Sequence, residues 1–360
     1  MKMANSAYLC LQNGDVFEGE AFGATGTATG ELVFTTGMTG YLETLTDPSY
    51  YGQIILQTFP LIGNYGVIPS DFESAAIGAS AYIVKRPCQE PSNFRSEGNL
   101  GAFLKARGIV GLCGIDTRAL TKRIRENGVM NGKITASPPT AIDLAEAKAY
   151  CIKNAVASVS SCTVIKSGEG ARRVALLDFG AKRGIAEALR TRGCEVWTFP
   201  HDTAAEKILK TKPDGIMLSN GPGDPAAPEN AGIIETIRKL GKSNLPIFGI
   251  CLGHQLLALA NGYKTEKLKF GHRGANQPVK ELATGLVYIT SQNHGYAVVT
   301  RADDNSSFVN VNDGTCEGLD YGVSFSVQFH PEARGGPLDT SFLFDRLIER
   351  MDTNAARSKN

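Results

Sequence analysis

Cys251 lies between two glycines in the segment Gly249–Gly253. An apolar run at residues 245–248 precedes this segment, and a helix-like run at residues 254–260 follows it. The pattern predicts a strand, a sharp turn and a helix with the cysteine at the apex, as in the G-x-S-x-G motif with sulfur in place of oxygen. Glycines suit this turn because the apex is strained and the strand approaches the helix too closely for a Cβ atom.

This placement predicts a reactive thiol. The positive end of a helix favours the thiolate form, so Cys251 is expected to act as a nucleophile through a covalent thioester. The alternative is a buried structural cysteine whose glycine neighbours serve only helix packing. No metal site is expected, because Cys251 and His254 form a single C-x-x-H pair and no second pair lies near it in sequence.

Length and composition bound the class of protein. A chain of 360 residues is long enough for two domains. Its net charge of +1 gives no electrostatic reason to expect nucleic acid or an anionic membrane as a partner. No apolar run reaches the ~18 residues of a membrane-spanning helix, and residues 1–11 lack the apolar core of a signal peptide. With eight scattered cysteines, expected to be reduced, these features predict a cytoplasmic location.

The first half of the chain, residues 1–152, is predicted to be a strand-rich α+β domain. Asn13-Gly14 between two short apolar runs indicates a β-hairpin. Further strands are predicted at residues 31–35, 53–59 and 81–84, and helices at residues 99–107, 117–126 and 141–152. The polar, glycine-bearing stretch at residues 153–171 is expected to be a linker.

In the second half, strands and helices alternate. Strands are predicted at residues 174–177, 215–218 and 245–248, with helices at residues 184–192 and 231–240. This alternation predicts an α/β domain over residues 172–350, with a mostly parallel sheet and helices on both faces. Later apolar runs at residues 287–290, 308–311 and 323–329 lack long helices between them and indicate antiparallel additions. A helix at residues 339–350 and a frayed tail at residues 351–360 are expected to end the chain.

A nucleophilic cysteine needs a base, and the chain has five histidines. His254 follows the cysteine inside the same helix, so its ring is expected to pack or hydrogen-bond away from the apex. His201 and His272 lie in polar, loop-like segments with no acidic residue placed to orient them.

His330 is the favoured base. It follows the apolar run at residues 323–329, and Pro331 biases it towards an extended conformation. Residues i and i+2 of an extended segment share a face, so Glu332 is predicted to lie beside the imidazole and fix its tautomer. The ends of strands are also where α/β sheets place their chemistry. The alternative is a strand-ending turn with a solvated carboxylate.

The loop Ser219–Pro225 carries two glycines and two prolines in the sequence Ser-Asn-Gly-Pro-Gly-Asp-Pro. A rigid loop at the edge of a sheet can offer backbone N–H groups to an oxyanion. It has no lysine and not the spacing of a phosphate-binding loop, and the stretch Gly128–Lys133 also departs from that spacing. No nucleotide site is therefore expected.

Taken together, the chain resembles the class I (triad) glutamine amidotransferases. That family shares G-x-C-x-G-x-Q, Gly-Pro-Gly-Asp-Pro and a late His-Pro-Glu, found here as Gly249–Gln255, Gly221–Pro225 and His330–Glu332. The resemblance implies a flavodoxin-like sheet. The N-terminal half is similar to the corresponding domain in the family of small, glutamine-hydrolysing subunits of carbamoyl-phosphate synthase, through the segments Thr36–Tyr41, Thr46–Tyr50, Gly63–Gly66, Ser92–Arg95 and Ile115–Arg118.

The resemblance implies roles for matching residues. Cys251 attacks the carboxamide of glutamine, His330 transfers the proton, and Glu332 holds the imidazole. Backbone N–H groups of Leu252 and Gly223 form the oxyanion hole. The residues implied to hold glutamine are Ser49, from the N-terminal domain, and Gly221, Gln255, Asn293, Gly295 and Tyr296.

The resemblance also implies a partner. Ammonia passes through an internal passage to a large subunit, reached through the N-terminal domain, which consumes ATP and bicarbonate. This chain then needs no cofactor, and ATP and Mg²⁺ belong to the large subunit. The product is expected to serve arginine and pyrimidine synthesis. One departure is Gly184, where the family has Asn, and it leaves the start of the local helix open.

Three other interpretations stay open at this point. The chain could serve another synthetase, such as those that make anthranilate or GMP. It could be a cysteine esterase or peptidase on a similar sheet. It could also be a regulatory scaffold whose triad is intact but silent.

Overall fold

The computed structural model describes residues 6–301 and 304–357. The chain divides into two compact units, Met1–Lys153 and Asn154–Asn360. Within the described ranges, no helix has both the length and the apolar character needed to cross a lipid bilayer.

The first unit is rich in strands, as predicted. Strands β1 to β9 are Ser6–Leu11, Val16–Gly23, Ala28–Thr35, Gln53–Gln57, Leu61–Ile62, Ala81–Ile83, Arg86–Pro87, Val110–Cys113 and Met130–Thr135. Helices α1 to α4 are Tyr41–Leu45, Leu100–Ala106, Thr117–Asn127 and Ala141–Ala149. Short 3-10 helices lie at Pro48–Tyr50 and Pro69–Asp71.

Seven of these strands close into a barrel in the order β1-β2-β8-β6-β4-β3-β9, and β9 pairs with β1. The predicted hairpin joins β1 to β2, with Cys10 opposite Val16 and Gly14 in the left-handed region at φ 95°. Because the barrel is closed, its sheet has no edge strand, and the backbone N–H and C=O groups pair between neighbouring strands all the way round.

Two predicted helices of this unit are bounded by identifiable caps. The Asp116 carboxylate accepts a hydrogen bond from the Ala119 N–H at 2.9 Å at the start of α3, and Gly128 ends the helix at φ 87°. Helix α4 is shorter than predicted and ends at Ala149. The reason is Tyr150, which turns to an extended conformation and donates its hydroxyl proton to the Gly52 carbonyl at 2.8 Å.

The second unit alternates strands and helices. Strands β10 to β19 are Ile165–Ser167, Arg172–Asp178, Cys194–Pro200, Gly215–Leu218, Ile247–Ile250, Lys264–Glu281, Val287–Val299, Ser306–Asn310, Cys316–Asp320 and Phe325–Val327. Helices α5 to α10 are Ala155–Val159, Arg183–Arg190, Ala205–Leu209, Ala231–Gly241, Leu252–Ala260 and Phe342–Arg357, with a 3-10 helix at Pro228–Asn230.

These strands form one ten-stranded sheet in the order β10-β12-β11-β13-β14-β19-β18-β17-β15-β16. The block β12-β11-β13-β14-β19 is parallel, and the remaining pairs are antiparallel. The predicted parallel sheet is therefore confirmed, and so are the antiparallel additions at residues 287–290 and 308–311. The run at residues 323–329, predicted as a third antiparallel addition, instead supplies β19, which pairs in parallel with β14. The carboxyl ends of the parallel strands meet at one edge, where side chains from distant segments can converge.

Both faces of the parallel block are covered, because alternate residues of a strand point to opposite faces. On β11, Val174 and Leu176 pack in one apolar cluster with helices α6 and α10. Ala175 and Leu177 pack in a second cluster with helices α7, α8 and α9. The continuous apolar run Val174–Leu177 within β11 is what a sheet with two covered faces requires.

The structure corrects two predicted boundaries. Residues 153–171, predicted as a linker, contain helix α5 and strand β10, which pairs with β12 and forms the edge of the sheet. Edge pairing satisfies backbone groups and needs no apolar side chain, so a polar sequence can still form this strand. Residues 351–357, predicted as a tail, continue helix α10, because Met351 is buried against Gly215 and Arg172 pairs with Asp352 at 2.7 Å. Residues 358–360 lie outside the described range.

We predict that Met351→Ala lowers the free energy of unfolding by about 2–5 kcal/mol, because it leaves a cavity beside Gly215. The matched control is Glu349→Ala, an exposed position on the same helix, which is expected to change stability by less than ~0.5 kcal/mol. Urea denaturation of the full chain measures both. If Met351→Ala lowers the free energy of unfolding as little as the control does, the end of helix α10 adds nothing to the core.

Candidate active site

Cys251 occupies a strained turn between strand β14 and helix α9. Its backbone lies at φ 53° and ψ −105°, a conformation that residues with a Cβ atom rarely adopt. The glycines on either side are needed for close approach: a Cβ on Gly249 would lie 2.6 Å from the Gly253 carbonyl oxygen, and one on Gly253 would lie 2.4 Å from that of Leu218. The predicted strand–turn–helix is confirmed.

The thiol of Cys251 is 2% exposed and points towards strand β16. Its Sγ atom donates a weak hydrogen bond to the Asn293 carbonyl oxygen at 3.7 Å. The turn also places Sγ at the N-terminus of a nine-residue helix, the end that carries the helix's partial positive charge. The site is dry enough for electrostatic effects to be strong, because solvent screening is nearly absent.

His330 and Glu332 form a buried pair beside strand β19, as predicted. Nδ1 of His330 lies 2.6 Å from Oε1 of Glu332. A carboxylate can only accept a hydrogen bond, so we assign the Nδ1 proton to this contact, which leaves Nε2 to exchange a proton with another group. Nε2 makes no hydrogen bond of good geometry to any described residue.

The Cys251 thiol lies close enough to His330 to affect its ionisation. Burial and the ammonium of Lys182 lower the pKa of His330, but the Glu332 carboxylate and the nearby Cys251 thiol outweigh them and raise that pKa above its ordinary value. Burial raises the pKa of Glu332, but His330 and Lys182 outweigh it and hold that pKa below its usual value. The geometry therefore favours an imidazolium at His330, beside the Cys251 thiol.

Lys182 is a member of this cluster that the sequence analysis missed. Its Nζ atom lies 3.3 Å from Nδ1 of His330 and 3.7 Å from Oε1 of Glu332. It immediately precedes helix α6, in the loop that follows strand β11. Its position after the end of a parallel strand indicates that it could lie near the site. Arg183 follows the same strand, however, and the sequence does not distinguish the two.

The departure at Gly184 bears on the same cluster. Gly184 is the second residue of helix α6, which starts normally at Arg183. A Cβ on Gly184 would lie 3.2 Å from Cγ of Glu332 and 3.2 Å from Cδ of Arg334. A Cβ atom here would therefore be in tight contact with the side chain of Glu332, the residue that orients His330.

The glycine-rich loop lies against the turn that carries Cys251. The Ser219 carbonyl accepts a hydrogen bond from the Gly253 N–H at 3.0 Å, and a Cβ on Gly221 would lie 2.8 Å from Cδ2 of Leu252. Gly223 adopts a left-handed φ of 92°. Loop and turn thus meet at the carboxyl edge of the sheet, where the sequence predicted an oxyanion hole.

Most of the predicted glutamine-binding residues converge on strand β16. Asn293, Gly295 and Tyr296 are consecutive or nearly so on this strand. Gln255 reaches it from helix α9 and donates from Nε2 to the Tyr296 carbonyl at 2.7 Å and to Oε1 of Gln328 at 2.9 Å. Ser49 lies in the other compact unit, in a 3-10 helix capped by Asp47, so its predicted role stays a prediction.

His254 packs away from the thiol, as predicted. It is fully buried, and its Nδ1 lies 2.8 Å from the hydroxyl of Ser326. Desolvation lowers the pKa of His254 from 6.5 to about 3. Its ring is therefore neutral in the folded protein.

We predict that Gly253→Ala lowers the free energy of unfolding by about 1–3 kcal/mol, because backbone atoms must move to admit the methyl group. The same substitution should reduce the reactivity of Cys251. Gly232→Ala is the matched control: it lies on helix α8 with nothing within 4 Å of the added Cβ. We expect that substitution to stabilise by roughly 0.5–1 kcal/mol. Thermal unfolding and thiol labelling measure the two. A tolerated Gly253→Ala would contradict the close approach.

We also predict that His254 makes the protein acid-sensitive. In the unfolded chain His254 binds a proton as pH falls below 6.5, whereas in the folded chain its pKa is about 3. Between pH 7.5 and pH 5, wild type should lose about 2 kcal/mol relative to His254→Asn, which has no group that titrates there. Urea unfolding of both proteins at the two pH values gives this difference. Parallel losses would mean that His254 titrates normally in the fold.

Comparison with known proteins covers nearly the whole chain. Residues 9–134 match the family model described as carbamoyl-phosphate synthase small chain, CPSase domain, and residues 175–350 match glutamine amidotransferase class-I. The chain is 50% identical over 352 residues to the carbamoyl phosphate synthase pyrimidine-specific small chain of Bacillus subtilis, covering 96% of each. It is 50% identical over 350 residues to the carbamoyl phosphate synthase small chain of Clostridium perfringens, covering 95% of this chain and 99% of that one.

Among solved structures, a glutamine amidotransferase from Thermotoga maritima is 18% identical with a TM-score of 0.39, covering 52% of this chain and 85% of that one. The sequence relatives agree with the two family models, which match residues 9–134 and 175–350. The chain belongs to the family of carbamoyl-phosphate synthase small chains and contains a class I glutamine amidotransferase domain.

Proposed function

We propose that this chain hydrolyses glutamine to glutamate and ammonia at Cys251 and delivers the ammonia to a large, ATP-dependent subunit that makes carbamoyl phosphate. The observation that carries the chemistry is the position of the Cys251 thiol, on a strained backbone turn, beside the buried pair of His330 and Glu332. Nδ1 of His330 lies 2.6 Å from Oε1 of Glu332. A nucleophile, a base and a group that orients the base are the parts that covalent acyl transfer requires.

The reaction runs in two halves. The Cys251 thiolate attacks the carboxamide carbon of glutamine, forming a C–S bond. The His330 imidazolium then gives its proton to the leaving nitrogen, so the C–N bond breaks and ammonia departs. In the second half His330 takes a proton from water, which attacks the thioester, and the C–S bond breaks to release glutamate.

Backbone N–H groups of Leu252 and Gly223 bind the oxyanion that forms in each half. One such donor contributes about 3–4 kcal/mol to the transition state. Glutamine itself is held by Gly221, Gln255, Asn293, Gly295 and Tyr296, and the role of Ser49 rests on the resemblance alone. The convergence of Gln255 and three of these residues on strand β16 supports this assignment.

The large subunit is the proposed partner. Relatives that align over nearly their whole length are named small chains, which implies a larger one. The N-terminal domain, residues 1–152, is proposed as the contact surface. It exposes Phe94 (97%) and Met38 (66%), apolar side chains that a partner could cover. ATP and Mg²⁺ are placed on the partner, since no nucleotide-binding loop is expected in this chain.

The cellular setting follows from the same proposal. We place the complex in the cytoplasm, where free cysteines such as Cys151 and Cys162 stay reduced. Carbamoyl phosphate would feed pyrimidine synthesis, as the name of the Bacillus subtilis relative says of that protein. Supply to arginine synthesis is proposed as well.

A class I amidotransferase serving another synthetase is the second candidate. The match of residues 9–134 to the carbamoyl-phosphate synthase small-chain domain disfavours it. Assays with each candidate large subunit separate the two, because only the cognate subunit should couple glutamine hydrolysis to product.

We predict that Cys251→Ser abolishes glutamine hydrolysis by at least ~10³-fold, because a hydroxyl at this position is far less nucleophilic than a thiolate. In complex with the large subunit, the variant should still make carbamoyl phosphate from free ammonia. Cys162→Ser, an exposed cysteine outside the site, is the matched control and should keep both activities. Loss of both activities in Cys251→Ser would contradict the division of labour. Failure of a glutamine-like electrophile to label Cys251 would instead favour a silent scaffold.

A further inference from the structure

We propose that His272, His294 and Glu317 form a binding site for a divalent transition-metal ion such as zinc, outside the group of Cys251, His330 and Glu332. One donor atom from each of the three side chains lies within 4.8 Å of the other two. The residues come from strands β15, β16 and β18, so only the folded sheet brings them together.

His272 is oriented as a metal ligand usually is. Its Nε2 lies 2.8 Å from Oδ2 of Asp313, and a carboxylate on one ring nitrogen leaves the other free to bind a metal. That second nitrogen, Nδ1, is buried without a hydrogen-bond partner and lies 3.6 Å from Oε1 of Glu317. The ring therefore points an unpaired nitrogen into the cluster.

His294 has the same arrangement with a backbone acceptor. Its Nδ1 lies 2.8 Å from the Tyr296 carbonyl oxygen, which can only accept, so Nδ1 carries the proton. With its proton on Nδ1, the neutral ring has a lone pair on Nε2, which faces Oε1 of Gln292 at 3.1 Å. A reversed Gln292 amide would relieve this contact between two acceptors, and so would a bound cation.

Glu317 completes the set of donors. It is fully buried; its Oε1 accepts from Nδ2 of Asn310 at 2.9 Å, while its Oε2 has no partner. A buried carboxylate oxygen without a partner is costly. Two orphaned atoms, Oε2 of Glu317 and Nδ1 of His272, thus belong to one cluster, and a single cation would satisfy both.

The donor set selects the kind of ion. Two imidazoles and one carboxylate bind zinc with a fourth position left open, whereas Mg²⁺ and Ca²⁺ prefer oxygen donors alone. Tetrahedral zinc needs its ligand atoms roughly 3.4 Å apart, so the side chains must close in by about an ångström. The carboxylates of Glu317 and Asp313 offset the neighbouring guanidinium of Arg273.

The site would act through strand β16. His294 stands between Asn293, whose carbonyl accepts from the Cys251 thiol, and Gly295. A metal tied to β15, β16 and β18 would fix the backbone that faces the nucleophile. The role proposed is therefore to stabilise the site, with no part in the bond-making steps.

The test is zinc binding by the full-length chain after treatment with a chelator and dialysis. We expect a single equivalent of zinc to bind and to raise the unfolding temperature. His272→Asn and the isosteric Glu317→Gln should each lose this binding, and Asp313→Asn should weaken it by roughly 10–100-fold. His201→Asn is the matched control and should bind as wild type does. Circular dichroism and unfolding of the metal-free variants establish that they fold.

Replacing zinc with cobalt tests whether any of the eight cysteines binds the metal. A site of nitrogen and oxygen donors gives visible d–d bands without the intense near-ultraviolet absorption of a cobalt–thiolate bond, and Cys251→Ser should leave the spectrum unchanged. Thiolate absorption, equal binding by His272→Asn and wild type, or no bound zinc would each overturn the proposal. The last result would mean that an ion pair of protonated His272 with Glu317 satisfies the cluster.

Discussion

The strained backbone of Cys251 is the constraint on which the second unit depends. A non-glycine residue at φ 53° persists only where its surroundings hold it. Here they do so through contact: Gly249 and Gly253 let strand β14, helix α9 and the neighbouring strand β13 approach to distances that no Cβ atom could enter. The strain directs the thiol out of the sheet and places it at the positive end of a helix.

Charge in the surrounding site is arranged around that thiol. His330, Glu332 and Lys182 come from two loops at the same edge of the parallel sheet, and all are mostly buried. In so dry a place, each charge shifts the ionisation of its neighbours strongly. The Glu332 carboxylate favours the imidazolium form of His330, and the Lys182 ammonium opposes it. The two cationic groups, His330 and Lys182, both lie beside this one carboxylate. This balance decides how readily His330 can give up and regain a proton.

Strands β15 and β16 link the nucleophile to the rest of the domain. Strand β16 offers the Asn293 carbonyl to the thiol and receives the Gln255 side chain from the nucleophile's own helix. The same strand carries His294, whose ring packs at right angles to that of His272 with centroids 4.9 Å apart. A sequence search for metal pairs overlooks this cluster, because its members are separated by more than twenty residues and meet only through strand pairing.

The sequence by itself determined the turn at Cys251, the alternation that makes a parallel sheet, and the pairing of His330 with Glu332. Each depends on residues close together in the chain, where spacing and backbone preference decide the geometry. Tertiary structure decided what spacing could not encode. Lys182 lies beside His330 and Glu332 because β11 ends at the same edge of the sheet. Strand β10 formed because it could pair with the backbone of β12, and helix α10 continued because Met351 packs against Gly215. Contacts between distant segments depend on which strands become neighbours, and only the folded sheet settles that order.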